Sequence, residues 1–89
     1  MKDFKWIDWN VDHIARHGIW PEEAEWVVEQ ARQPYPERIG AYKYRIRGQS
    51  EAGAYLEVLY TIDPDDRIFV ITARPLSERE RRQFRRRRK

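Results

Sequence analysis

The sequence predicts an α+β domain in which helices pack on one face of a three- to four-stranded antiparallel sheet. In the first third of the chain, apolar residues recur every three to four positions, which is the period of an amphipathic helix. After Pro36, apolar residues alternate with polar ones, as in strands that bury one face. The chain has 89 residues, enough for one hydrophobic core, so we expect a single domain spanning 1–89.

The first third of the chain predicts two helices behind a short lead-in. Residues 4–7 fit either a short edge strand or the approach to a helix. The first helix is expected from Asp8 to Gly18, because glycine readily adopts the left-handed conformation that ends many helices. The second is expected from Pro21, because proline fits the first helical position. Its apolar face comprises Ala24, Val27, Val28 and Ala31.

The middle of the chain predicts three consecutive strands. In the first, one face carries Tyr42, Tyr44 and Ile46, and the other carries Lys43, Arg45 and Arg47. Strands are also expected at 55–62 and 67–74, because turn-forming residues lie before and between them. Such short connections favour an antiparallel meander. The predicted order of elements is (β)ααβββα, with the bracketed strand at residues 4–7.

A final helix is expected to carry most of the positive charge. Ser77 and Glu80 have the spacing of a capping box that begins a helix. Residues 77–89 contain eight arginines or lysines and two glutamates, a net charge of +6, whereas residues 1–76 carry −3 of the whole-chain +3. Arginine clusters bind phosphate groups through forked hydrogen bonds. The partner is therefore expected to be a polyanion; alternatively, the basic tail at 85–89 only aids solubility.

The composition excludes several kinds of site and of protein. The chain has no cysteine, which excludes disulfides and thiolate metal sites. No apolar run approaches the roughly 20 residues that span a bilayer, so we expect no membrane partner and a soluble, cytoplasmic protein. The chain has four tryptophans, most of which we expect to pack in the core between the two helices and the sheet.

Two motifs resemble a known family. The first is Trp9-Asn10-Val11-Asp12-His13-Ile14-Ala15-Arg16-His17-Gly18 with Pro21-Glu22-Glu23-Ala24-Glu25 after it. The second is Val70-Ile71-Thr72-Ala73-Arg74 followed by Ser77 and Glu80-Arg81-Arg82. Together they resemble the N-terminal and C-terminal hallmarks of BrnT-like toxins. Between them, the segment 48–53 resembles the hairpin of members with an Ala-Gly turn.

The resemblance implies a RelE-like fold and a type II toxin–antitoxin role. Toxins of that family cleave RNA without a metal or cofactor, and a cognate antitoxin protein holds them inactive. The sequence departs from the family at Phe84, where many members have tyrosine. If that hydroxyl serves the chemistry, activity is reduced here.

Three residues are candidates for metal-independent cleavage of RNA, which needs proton transfer and stabilisation of a crowded phosphate. Arg74 ends a strand, on the face predicted for Ile68, Val70 and Thr72, where it can form a phosphate clamp with Arg81 or Arg82; the alternative is an ion pair with Glu80. His17 is a candidate acid or base, or else a packing histidine beside Gly18. Glu57 is a candidate base, or else pairs with Arg45 or Lys43 across the strands.

The remaining basic residues are candidates for RNA binding. Lys43, Arg45 and Arg47 form a cationic row on one strand face, which is alternatively a solvated surface. No metal site is expected, since His13 and His17 lack a third ligand. The sequence thus predicts a metal-independent endoribonuclease toxin whose partners are RNA and an antitoxin. The alternative is a non-catalytic RNA- or protein-binding module with the same fold.

Overall fold

The computed structural model describes residues 3–87 and confirms the α+β class. The elements of this part of the chain are α1 (Asp8–Ala15), α2 (Pro21–Glu29), β1 (Glu37–Arg38), β2 (Tyr44–Gln49), β3 (Tyr55–Ile62), β4 (Ile68–Pro75) and α3 (Glu78–Arg87). The end of the predicted basic tail, Arg88 and Lys89, lies outside the described residues. None of the helices in residues 3–87 is long and apolar enough to span a membrane.

The four strands form one antiparallel sheet in the order β1-β2-β3-β4, which confirms the predicted meander. Strand β1 was not predicted, because two residues are too few to show an alternating pattern. The expected strand at residues 4–7 is reduced to a single parallel bridge between Phe4 and Ile68. Its backbone is nevertheless held, since Lys5 N donates to Ile68 O over 2.9 Å.

The first predicted strand begins two residues later than its alternation suggested. Tyr42 is 79% exposed and belongs to the turn between β1 and β2, so the prediction that it faces the core is wrong. The turn is held by Arg38, whose guanidinium donates to the carbonyl oxygens of Gly40 and Ala41. Pairing with β1 starts at Tyr44, and this sets where β2 begins.

The helices follow their predicted end signals. Gly18 has φ +75°, the left-handed conformation expected after α1. Helix α2 starts at Pro21 and buries Ala24, Val27 and Val28. It ends at Glu29, so Ala31, which was predicted on its apolar face, lies beyond the helix. Before α3, the capping box forms as predicted: Ser77 N donates to Glu80 Oε1 over 2.8 Å, and Glu80 N donates to Ser77 Oγ over 3.1 Å.

A β-bulge in β4 changes which face of the sheet Arg74 occupies. Leu59 pairs with Thr72, but the next residue of β3, Tyr60, pairs with Val70, so Ile71 is an extra residue. Because the side-chain period of a strand is two, this insertion reverses the faces. Val70 is buried on the face that α1 and α2 cover, and Arg74 lies opposite Glu57 on the other face, where it pairs with Glu80 of α3. The prediction that Arg74 shares a face with Ile68 and Val70 is therefore wrong. The expectation that all helices pack on one face is likewise wrong for α3.

Aliphatic side chains, with two tyrosines and Phe84, form the core. The largest fully buried apolar residues are Ile14, Val27, Val28, Ile46, Val58 and Val70. The prediction that most tryptophans lie in the core is wrong: Trp9 is 53% exposed, Trp20 71% and Trp26 36%. Trp6 is half-buried and donates its indole N–H to Glu25 over 2.7 Å. Short aliphatic residues already fill the helix–sheet interface, which leaves the large indole rings on the helix surfaces.

Candidate functional site

Two arginines and two glutamates form an ion-pair cluster, defined here as Arg47, Glu57, Arg74 and Glu80. Arg74 makes a bidentate pair with Glu80, with Nη1–Oε1 and Nη2–Oε2 distances of 2.9 and 2.8 Å. Arg74 Nη2 also lies 3.1 Å from Glu57 Oε2. Arg47 contacts both carboxylates, at 3.0 Å from Glu57 and 3.3 Å from Glu80. The cluster therefore links β2, β3 and β4 to the first turn of α3.

The ion-pair cluster is partly buried and attaches α3 to the sheet. The side chains of Glu57 and Arg47 are 7% and 11% exposed, whereas that of Arg74 is 37% exposed. Arg74 and then the Ser77 N–H, by hydrogen bonding, hold the pKa of Glu80 far below its usual range. The hydrogen bonds that Arg74 donates to Glu80 likewise raise the pKa of Arg74. Glu80 is therefore ionised at neutral pH and holds α3 against the sheet.

The pairing differs in part from the sequence expectation. The alternative reading for Arg74, an ion pair with Glu80, is present in the structure. Glu57 pairs with Arg47 and Arg74; the expected partners Arg45 and Lys43 do not contact it within the described residues. Register explains this, because Glu57 lies directly opposite both Arg47 and Arg74.

The three residues of the predicted cationic row have different environments. Arg45 pairs with Glu37 over 2.9 Å, Arg47 belongs to the ion-pair cluster, and Lys43 is exposed just before β2. Two of its three charges are thus already compensated inside the molecule. This surface offers RNA fewer unpaired cations than the sequence pattern indicated.

Helix α3 presents a basic groove, defined by Arg81, Arg82, Arg85 and Arg86 with Glu78 at its edge. Arg82 makes an exposed ion pair with Glu78 over 3.1 Å. The guanidinium carbons of Arg81 and Arg85 each lie 5.5 Å from the centroid of the Tyr55 ring. Stacking on the ring fixes both charges without neutralising them. The groove is therefore suited to binding phosphate groups.

A second depression, the His17 cleft, lies between the end of α1, the β2–β3 hairpin and the start of α3. His17, Glu23, Tyr55, Pro75 and Arg81 are among the residues that line its volume of about 360 Å³. His17 is exposed, so its imidazole is accessible to a substrate. Arg81 Nε is buried and has no hydrogen-bond partner among residues 3–87. The cleft thus combines the exposed imidazole of His17 with the guanidinium of Arg81.

Six of the eight predicted site residues fall into three places, and the other two, Lys43 and Arg45, lie outside them at or just before the start of β2. His17 and Arg81 share the cleft, Arg82 lies in the basic groove, and Arg47, Glu57 and Arg74 form the ion-pair cluster with Glu80. Sequence reasoning missed Tyr55, which stacks under two arginines and lines the cleft. Its position at the start of β3 on the Glu57 face was the available signal.

The histidines form an aromatic row along α1. The rings of Trp9 and His13 stack at 5.0 Å, and those of His13 and His17 meet edge to face at 6.5 Å. Within residues 3–87, no group of three or more histidine, cysteine, aspartate or glutamate side chains is arranged to hold a metal ion.

In comparisons with known proteins, no protein-family model and no curated protein matches the chain.

Proposed function

We propose that the protein is a metal-independent endoribonuclease of RelE-like fold that acts as the toxin of a type II toxin–antitoxin pair. The observation that carries the proposal is the His17 cleft, in which an accessible imidazole lies with a stacked guanidinium beside the basic groove. The order of helices and strands and the two sequence motifs support the same proposal.

The residues of the cleft suit cleavage by the RNA's own 2′-hydroxyl. In this reaction the 2′-oxygen bonds to the adjacent phosphorus as the bond from phosphorus to the 5′-oxygen breaks. His17 takes the proton of the attacking hydroxyl, and the 5′-oxygen is protonated from solvent. Arg81 donates to the non-bridging oxygens, whose charge increases in the transition state. The products are a 2′,3′-cyclic phosphate and a 5′-hydroxyl.

Arg74 and Glu57 have a positioning role in this proposal. Both side chains pair within the ion-pair cluster, which also holds Glu80, the residue before Arg81 in the chain. The cluster therefore sets where the first turn of α3 lies relative to the cleft. Loss of Arg74 would reduce cleavage by displacing Arg81.

The proposal is tested by incubating the protein with single-stranded RNA in EDTA. We expect wild-type protein to cleave and His17→Ala to lose about 10²- to 10⁴-fold in rate, the usual contribution of a positioned acid or base. His13→Ala is the matched control, because His13 lies one turn earlier in α1 and is not among the residues that line the cleft. Equal rates for wild type and His17→Ala would remove His17 from the mechanism.

A second candidate function is a non-catalytic RNA-binding module. The observation that favours it is the compensation of Arg47 and Arg74 by two carboxylates, which leaves the basic groove as the main cationic surface. Such a protein would bind RNA with a steep dependence on salt and leave it intact. The EDTA assay separates the two candidates.

The antitoxin part of the proposal needs a separate experiment. Expression of the protein should arrest growth, and co-expression of the adjacent gene should restore it, because a partner that covers the basic groove excludes RNA. Growth arrest that the neighbouring gene does not relieve would contradict the pairing without contradicting the nuclease activity.

A further inference from the structure

A third depression, the α2–β2–α3 cavity, shares no lining residue with the His17 cleft. It has a volume of about 300 Å³, which is in the range of small-ligand sites. Three aromatic residues line it: Trp26 is 36% exposed, whereas Tyr35 and Phe84 are 8% and 5% exposed. Trp26 therefore lies in the accessible part of the lining, whereas Tyr35 and Phe84 lie in its buried part.

Three side-chain amides contribute to the polar part of the lining. Gln30, Gln33 and Gln49 all border the cavity. Gln30 and Gln33 are exposed, and Gln49 uses its amide N–H on Gly53 O over 3.1 Å. An amide offers both a donor and an acceptor, the combination that reads the edge of a nucleobase.

The charges around this cavity do not favour a phosphate. Arg47 in the wall is held by Glu57 and Glu80, and the lining carries one further arginine, Arg32, and one glutamate, Glu51. A group that enters between the aromatic rings is therefore expected to be flat and uncharged. Unpaired bases meet that description, and they stack on aromatic side chains in many RNA-binding proteins.

Helix α3 connects the α2–β2–α3 cavity to the basic groove. Phe84 lines the cavity, and its ring lies 6.0 Å from that of Tyr55. Arg81 and Arg85, on the same helix, stack on Tyr55 and line the groove. One helix thus presents cations for an RNA backbone and an aromatic wall for a base.

We propose that the α2–β2–α3 cavity binds one unpaired nucleobase of single-stranded RNA while the basic groove holds the phosphates. The proposal rests on the RNA-binding part of the proposed function. In it, Trp26 stacks on the base, and the amides of Gln30 and Gln49 contact its edge. This cavity makes binding depend on the base and not only on charge.

The test compares two fluorescent 2′-O-methyl oligonucleotides of equal length, one with all its bases and one abasic. Trp26→Ala should weaken binding of the base-bearing oligonucleotide by about tenfold, as expected for loss of one base–aromatic stack. It should change the affinity for the abasic oligonucleotide by less than about twofold, because the phosphate contacts are unchanged. Trp20→Ala is the matched control, since Trp20 is 71% exposed and is not among the residues that line the cavity.

Gln30→Ala provides a second variant at an exposed position of the rim. It should change the order of affinity among A, C and U homopolymers, with no change in melting temperature. Equal affinities of Trp26→Ala and wild type for the base-bearing oligonucleotide would overturn the base pocket. If Trp26→Ala loses affinity for both oligonucleotides by the same factor, the base pocket is overturned as well. Wild-type protein that binds neither oligonucleotide would overturn RNA binding as well, so the two failures are distinguishable.

Discussion

At the scale of single residues, the ion-pair cluster explains how a helix made almost entirely of charged residues stays on the sheet. Glu57 and Glu80 each accept hydrogen bonds or ion pairs from both Arg47 and Arg74. Removing one partner of such a partly buried pair leaves a charge without its partner, which costs more than losing a fully exposed pair. The cluster is therefore expected to be structural first and to act on RNA only through the position of α3.

The low pKa of Glu80 predicts a dependence of stability on pH. A carboxyl group whose pKa is lower in the folded state stabilises the fold above its unfolded pKa, and this contribution is lost as the pH falls. Glu80→Gln should therefore lower the free energy of unfolding by about 2 kcal/mol at pH 6. It should also flatten the loss of stability that the wild type shows below about pH 4.5.

Urea unfolding at several pH values measures this difference. Glu78→Gln is the control, because Glu78 is 78% exposed and its pair with Arg82 lies on the surface. It should change stability by less than about 0.5 kcal/mol. Asp63, whose pKa is also lowered, first by the backbone N–H of Asp65, contributes equally in all three proteins. Parallel pH profiles for Glu80→Gln and wild type would contradict the role given to Glu80.

At the scale of elements, Asn10 fixes α1 on the sheet. Its side chain is fully buried, and it accepts from Ile7 N over 2.8 Å and donates to Lys5 O and Val70 O over 3.0 and 3.2 Å. One amide thus joins the lead-in, α1 and β4.

Asn10→Ala should lower the free energy of unfolding by about 3 kcal/mol, because it leaves buried backbone groups without partners. Chemical denaturation measures the change. Asp12→Ala, at an exposed position of the same helix, should change the free energy of unfolding by less than about 0.5 kcal/mol. An Asn10→Ala protein as stable as wild type would show that water replaces the lost bonds.

Position 84 gives a prediction for α3. Phe84 is buried between Tyr35 and Tyr55, with ring centroids 6.3 and 6.0 Å away, and it lines the α2–β2–α3 cavity. Phe84→Tyr should therefore leave the rate of the proposed RNA cleavage unchanged. A large increase in rate would show that a hydroxyl at this position takes part in the chemistry.

The sequence predicted elements whose signals are local and missed features that depend on register. Pro21, Gly18 and the Ser77–Glu80 capping box mark helix ends through their own backbone chemistry, and the structure confirms them. The bulge at Ile71 has no local signal, yet it reverses the face of Arg74. The partners of Glu57 are set by strand register, which no single residue shows. The tryptophans are exposed because aliphatic residues occupy the interface between the helices and the sheet.

At the scale of the whole molecule, charge is segregated. Residues 77–89 carry a net +6 and the rest of the chain −3. The structure gathers four of those arginines into the basic groove, beside a cleft that also contains His17. If the proposed function holds, RNA would lie along α3, with one phosphate at Arg81.

The most direct test of this account is the cleavage rate of Arg81→Ala against that of Arg82→Ala, measured in EDTA with RNA saturated by protein. Both variants remove one charge from α3, but of the two only Arg81 is among the residues that line the His17 cleft. We predict a loss of about 10²- to 10³-fold for Arg81→Ala, as for removal of one donor to a developing oxyanion, and near wild-type rates for Arg82→Ala. Intact RNA with the wild-type protein, or equal rates for the two variants, would contradict the account.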